Sequence, residues 1–186
     1  MPRIRAFIAI ELPQSLQQKL AGVQEELRPL REHISWTKTG NIHFTLKFLG
    51  EVESDKIPGI AVALNGIAGE SASFAFSVRA VGAFPSIKRA RVLWAGIADD
   101  TGGLSDLAKK IDEALIHFGF SRENRKFAPH LTLGRVKAPL SNSFIQVFQQ
   151  LRFDGGDVAA DRIVLFKSDL KPTGAIYSPL AIFMLK

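Results

Sequence analysis

The chain has 186 residues, 46% hydrophobic and 23% charged, so it can bury a core and is too apolar to be disordered. Lys and Arg total 24 against 18 Asp and Glu, and the resulting net charge of +6 favours a polyanionic partner without requiring one. The absence of cysteine excludes disulfides, thiolate nucleophiles and cysteine-held zinc or iron–sulfur sites, and it is compatible with a reducing cytoplasm.

Residues 3–10 carry apolar side chains on both faces, as an interior strand does. The run is too short for a secretory signal, and no stretch approaches the roughly 20 apolar residues that span a bilayer. A soluble, cytoplasmic, monomeric protein is expected. Pro13 and Ser15 open a helix whose apolar face is Leu16, Leu20, Val23, Leu27 and Leu30. Residues 34–37 and 42–49 read as strands on either side of a turn at Thr39-Gly40-Asn41. Ser54 is placed to cap a second helix bearing Ile57, Ala61 and Leu64. Strands over 74–81 and 92–97 follow. A third helix shows Leu104, Leu107, Ile111, Leu115 and Phe118 on one face, and Gly119 stands where it would end. A strand over 127–136, a short helix capped by Ser143, and strands over 162–167 and 176–185 complete the chain. With no low-complexity tract or long linker, residues 1–186 are expected to form a single unit.

The two halves resemble each other. Strand, helix and a strand bearing His43-Phe44-Thr45-Leu46 are matched by strand, helix and a strand bearing His130-Leu131-Thr132-Leu133. Arg3 and His43 lie 40 positions apart, and Arg91 and His130 lie 39 apart. With four His in the chain, one His-x-Thr-Leu is expected by chance about 0.014 times, so two point to a duplication. Pairing the halves about a pseudo-twofold axis would bring equivalent strands together at the centre.

Alternation along a strand puts His43 and Thr45 on one face and Phe44 and Leu46 on the other; the same holds for His130 and Thr132 against Leu131 and Leu133. Two such strands related by a dyad set two imidazoles across a gap. Near neutral pH one ring can be neutral and the other protonated, which suits acid–base catalysis at phosphorus. The threonine hydroxyls can donate to phosphate oxygens, and Arg135 can add a charge-assisted contact. Geometry of this kind does not say which imidazole is the acid.

These motifs resemble those of the 2H phosphoesterases, and among them the bacterial and archaeal RNA 2′,3′-cyclic phosphodiesterases, also known as 2′-5′ RNA ligases. The likeness runs through Arg5-Ala6-Phe7-Ile8-Ala9-Ile10, His43 to Gly50, Gly82-Ala83-Phe84-Pro85, Arg91-Val92-Leu93-Trp94, Phe127 to Arg135, and Lys167-Ser168-Asp169-Leu170 with Gly174 and Tyr177. It implies an α+β fold of two pseudo-symmetric lobes, each an antiparallel sheet with outer helices, around a central cleft. The implied reaction is metal-independent hydrolysis of an RNA-terminal 2′,3′-cyclic phosphate to a 2′-phosphate, without a cofactor. The resemblance makes His130 the proton acceptor for water and His43 the proton donor to the 3′ oxygen, with Thr45, Thr132 and Arg135 on the phosphate. Reversible 2′-5′ ligation uses the same two imidazoles.

Phe48 is a candidate for stacking on a base. Simple alternation puts it on the core side, so a bulge or a strand end is required. Lys47, Lys88, Arg89, Arg91, Arg125 and Lys126 are candidates for steering RNA. His33 and His117, which lack a Thr partner, are expected at the surface or at helix ends. No His-x-His, His-Glu-x-x-His, P-loop or Gly-x-Ser-x-Gly occurs, which disfavours metal, adenylate-dependent and serine-triad chemistry. The competing readings are a non-catalytic RNA-binding module that uses the cleft as an anion site, and an enzyme acting mainly in synthesis.

Overall fold

The computed structural model describes residues 2–124, 127–172 and 174–186. The basic pair Arg125 and Lys126 lies outside the described residues. The elements are β1 (Arg3–Ile10), α1 (Gln14–Leu27), β2 (Ile34–Trp36), β3 (Phe44–Glu53), α2 (Ile57–Gly69), β4 (Phe74–Phe84), β5 (Val92–Ala98), α3 (Gly103–Leu115), β6 (His130–Val136), α4 (Asn142–Gln150), β7 (Asp154–Ala160), β8 (Arg162–Lys171) and β9 (Gly174–Met184). They form two antiparallel sheets, ordered β3-β1-β8-β9 and β2-β6-β5-β4-β7. The α+β class and the two-sheet arrangement agree with the sequence reading.

The halves interlock rather than meeting strand to strand. The corresponding strands β1 and β5 lie in different sheets. Each half instead sends a strand across: β4 pairs with β5, and β8 pairs with β1. The helices cross too. Helix α1 follows β1 but contacts β7 and α4, while α3 follows β5 but contacts β3 and α2. Each sheet is therefore assembled from both halves of the chain.

Strand β1 shows why both of its faces are apolar. Ala6, Ile8 and Ile10 enter the main core with the helix residues Leu16, Leu20, Leu107 and Ile111. Phe7 and Ala9 form a second cluster on the opposite face with Val164, Phe166 and Tyr177. The second cluster marks the inner, site-bearing surface of the first sheet.

Three local expectations need correction. Ser54 begins a 3-10 turn, and α2 starts at Ile57 with Pro58 in its first turn and no side-chain cap. Helix α4 is capped by Ser141, whose hydroxyl accepts from the Phe144 N–H at 3.2 Å, not by Ser143. Strand β7 is an addition to the elements expected, because Asp154-Gly155-Gly156-Asp157 has the composition of a loop; its pairing with β4 is what holds it extended.

Candidate active site

Both His-x-Thr-Leu motifs carry the same irregularity. On β1, Ile8 pairs with Lys47 and Ala9 with Thr45, so Leu46 is the extra residue. On β5, Leu93 pairs with Gly134 and Trp94 with Thr132, so Leu133 is the extra residue. The leucine of each motif is thus a β-bulge, which shifts side-chain parity for the residues that follow it, and in β3 a second shift at Leu49 reverses it again past Phe48. Without the bulge, the residue five places after each histidine would face away. With it, Phe48 pairs with Phe7 and Arg135 with Val92, on the same faces as the motif threonines. Phe48 accordingly leaves the core, stands 66% exposed and lies 5.9 Å from the Phe7 ring. The bulge needed for Phe48 to leave the core side is present.

His43 immediately precedes β3, and His130 is the first residue of β6. The Nδ1 of His43 lies 2.7 Å from the Asn41 carbonyl oxygen, and that of His130 lies 2.7 Å from the Ala128 carbonyl oxygen. A carbonyl only accepts, so each Nδ1 is the protonated nitrogen and donates. That fixes one tautomer in both rings and leaves both Nε2 atoms for chemistry.

The two surroundings differ. The His43 ring stacks on Phe7 at 4.6 Å, meets Tyr177 edge-on at 5.2 Å and lies tilted to Phe166 at 6.4 Å. Burial among these rings pushes its pKa below 6.5, against a smaller upward pull from the Asn41 carbonyl. His130 is more open and meets Phe84 edge-on at 5.0 Å.

Tyr177 stands within electrostatic reach of both sheets. Burial raises the pKa of its phenol, while the guanidinium groups of Arg5 and Arg135 lower it. Arg135 belongs to the second sheet and Tyr177 to the first, so the His43 wall and the Arg135 side of β6 border one space. Arg5 reaches it from β1, where it shares a face with Phe7 and Ala9. Neither Tyr177 nor Arg5 is among the site residues that the motifs mark in the sequence. Tyr177 is separated from His43 by most of the chain, and no local pattern couples them.

Thr45 and Thr132 are half-buried beside Ala9 and Trp94. Lys47 does not join the cleft. It pairs with Ile8 on the opposite face, and its ammonium bonds the Asp112 carboxylate of α3 and, at 3.0 Å, the Ser121 carbonyl oxygen. A lysine committed in this way holds α3 to β3 and is not available to steer RNA. Lys88, Arg89 and Arg91 are exposed, as are His33 and His117. Among the described residues, no group of three or more His, Asp or Glu is arranged to hold a metal ion.

The comparison with known proteins decides the family. A model of LigT-like phosphoesterases matches residues 10–94 and 96–177, nearly the whole chain. The chain belongs to this family. A Thermotoga maritima protein named RNA 2′,3′-cyclic phosphodiesterase is 36% identical over 177 residues, covering 95% of this chain and 93% of its own. Its namesake from Methanothermobacter thermautotrophicus is 31% identical over 185 residues, covering 98% and 100%. Among solved structures, a Thermus thermophilus protein superposes with a TM-score of 0.83 at 27% identity, covering 97% of each chain. E. coli LigT complexed with 3′-AMP gives 0.82 at 25% identity, covering 99% of each. Among the described residues of this phosphoesterase, no helix is long and apolar enough to cross a membrane.

Proposed function

We propose that this LigT-like phosphoesterase hydrolyses the 2′,3′-cyclic phosphate at an RNA end to a 2′-phosphate, with His43 and His130 performing both proton transfers. The observation that carries this reading is the matched pair of bulged motifs, each with Nδ1 committed to a carbonyl oxygen and Nε2 left over. The names of its relatives support the substrate class.

Water attacks phosphorus and gives its proton to Nε2 of His130. The bond from phosphorus to the 3′ oxygen breaks, and the 3′ oxygen takes a proton from Nε2 of His43. The Thr45 and Thr132 hydroxyls and the Arg135 guanidinium hold the non-bridging oxygens, and Phe48 stacks on the terminal base. Burial favours neutral His43, so the donor role requires the phosphate anion of the substrate to raise its proton affinity. With a 5′ hydroxyl as nucleophile in place of water, the same displacement of the 3′ oxygen joins two RNA ends by a 2′-5′ linkage, and its reversal, attack by the 3′ hydroxyl with release of the 5′ hydroxyl, uses the same imidazoles with their roles exchanged. The whole chain acts as one unit in this reaction, since both sheets contribute to the site.

The test is hydrolysis of a cyclic-ended oligonucleotide in EDTA. Activity is expected to persist, and His43→Ala and His130→Ala each to lose roughly 10²–10⁴-fold. A substrate with sulfur in place of the bridging 3′ oxygen separates the roles, because a thiolate leaves without a proton. It rescues His43→Ala and not His130→Ala if His43 is the donor. Normal turnover by either alanine variant refutes the two-histidine mechanism, and binding without turnover by the unaltered protein favours the anion-site module.

A further inference from the structure

Phe166 and Phe84 occupy corresponding places in the two sheets. Phe166 pairs with Phe7 on β1, Phe84 pairs with Val92 on β5, and each ring lies beside a motif histidine. Their exposures differ: Phe166 is 8% exposed beneath Phe7 and Tyr177, whereas Phe84 is 36% exposed. The first wall is closed and the second is open. The opening is a depression lined by Phe84, Pro85, Arg89, Arg91 and Val92.

We propose that this depression is a subsite for the nucleotide one step upstream of the reacting RNA end, with Phe84 under its base and Arg89 and Arg91 against its phosphate. The inference rests on the proposed reaction and adds what that reaction leaves open, namely where the RNA body goes.

Continuity with the site is the first argument. Phe84 touches His130, and Val92 pairs with Arg135, so the depression begins where the proposed phosphate contacts end. Charge is the second. Lys88 and Arg89 close the short turn after Pro85, Arg91 follows, and no described carboxylate forms an ion pair with any of the three. Unpaired cations around an exposed ring are the combination that binds single-stranded nucleic acid without reading its sequence. Preorganisation is the third. The Phe84 ring is set between His130 at 5.0 Å and Trp94 at 5.2 Å. Trp94 in turn lies over two glycines, because a Cβ on Gly82 would fall 2.2 Å from the indole and one on Gly96 would fall 3.3 Å from it. The platform is therefore fixed before any ligand arrives. The backbone of Arg91 is equally anchored, donating to the Phe84 carbonyl at 2.7 Å and accepting from the Val136 N–H at 3.0 Å.

The test compares 2′,3′-cyclic AMP with a triadenylate bearing the same cyclic end. The unaltered protein is expected to show kcat/KM at least about ten-fold higher for the triadenylate, within the range one base stack and its phosphate supply. In Arg89→Ala/Arg91→Ala that preference should fall to within about two-fold, and the salt slope of triadenylate binding should flatten by about one. Phe84→Trp should retain the preference and Phe84→Leu lose it. Equal kcat/KM for the two substrates in the unaltered protein overturns the subsite and leaves the reaction standing. So does a double variant that loses equally on both. If neither substrate turns over, the reaction itself is wrong, and the Kd of adenosine 2′-phosphate against triadenylate 2′-phosphate reads the subsite independently. A ratio of about ten or more sustains it, and a ratio near one overturns it.

Discussion

His43 combines a fixed tautomer with an apolar wall, and the two pull on its proton in opposite directions. The Asn41 carbonyl supports the Nδ1 proton, while burial among Phe7, Phe166 and Tyr177 opposes the charged ring and outweighs it. The consequence for stability has a definite sign. A histidine with its folded-state pKa below the unfolded value of about 6.5 binds fewer protons when folded, so acidification through that window destabilises the fold. Lowering the pH from 7.5 to 5 should therefore reduce the Tm of the native protein more than that of His43→Gln, as differential scanning calorimetry would read. The same imbalance should appear on binding. A nucleoside 2′-phosphate brings the anion that the buried imidazolium lacks, so its binding at pH 7 should take up protons. Titration calorimetry in buffers of different ionisation enthalpy measures that uptake; no uptake, or none lost in His43→Gln, counts against His43 as the proton donor. The pair of histidines was legible in the sequence because the motif is local and repeated. The ring wall was not, because Phe7, Phe166 and Tyr177 reach His43 from strands far apart in the chain.

The elements were legible wherever a single period ran unbroken. Helix α3 shows its buried Leu104, Leu107, Ile111 and Leu115 in spacings of three and four, and the left-handed Gly119 stops the helical run after a final 3-10 turn. Bulges break the period and hide from it. Nothing in His43-Phe44-Thr45-Leu46 says that Leu46 lacks a cross-strand partner, yet that one residue turns Phe48 outward, and Leu133 does the same for Arg135. Helix starts are the other weak point, since several serines compete for one cap. Ser141 wins at α4, and its hydroxyl and N–H also bond the Glu32 carboxylate ahead of β2. Ser141→Ala should cost about 1 kcal/mol or somewhat more, and Ser143→Ala under about 0.5 kcal/mol. Equal losses in urea denaturation would put the cap elsewhere. Gly82 makes a sharper case. Its missing Cβ is the space that the Trp94 indole fills, so Gly82→Ala must displace a large ring set within a strand. An overpacking loss of about 1–3 kcal/mol is expected, together with a shift in tryptophan fluorescence; a variant as stable as the parent would mean that the indole relocates freely.

At the scale of the whole molecule, the repeat predicts two equivalent halves and the topology makes them inseparable. A chain ending between β5 and α3 would keep β1, β3 and β4 and lose β8, which fills the other side of β1. It would also lose β6 and β7, leaving β4 and β5 as an uncovered pair. The complementary fragment would hold β8 and β9 without β1, and β6 and β7 without the strands between them. The main core runs without a break from Ala6 and Ile8 to Phe144, Leu165 and Phe183, so neither fragment encloses a core of its own. Exposed strand edges with apolar faces do not persist alone in water. Unfolding of the intact protein should accordingly be a single transition with equal calorimetric and van't Hoff enthalpies, seen alike by near-ultraviolet and far-ultraviolet dichroism. Each fragment should be unfolded in isolation, and mixing the two should restore sheet signal and cyclic phosphodiesterase activity together. Two resolved transitions, or one fragment with a cooperative melt of its own, would show that the exchanged strands β4 and β8 are accessory to two autonomous lobes. The active site would then be an interface between bodies free to move, and its preformed aromatic wall could not be the source of the His43 proton imbalance.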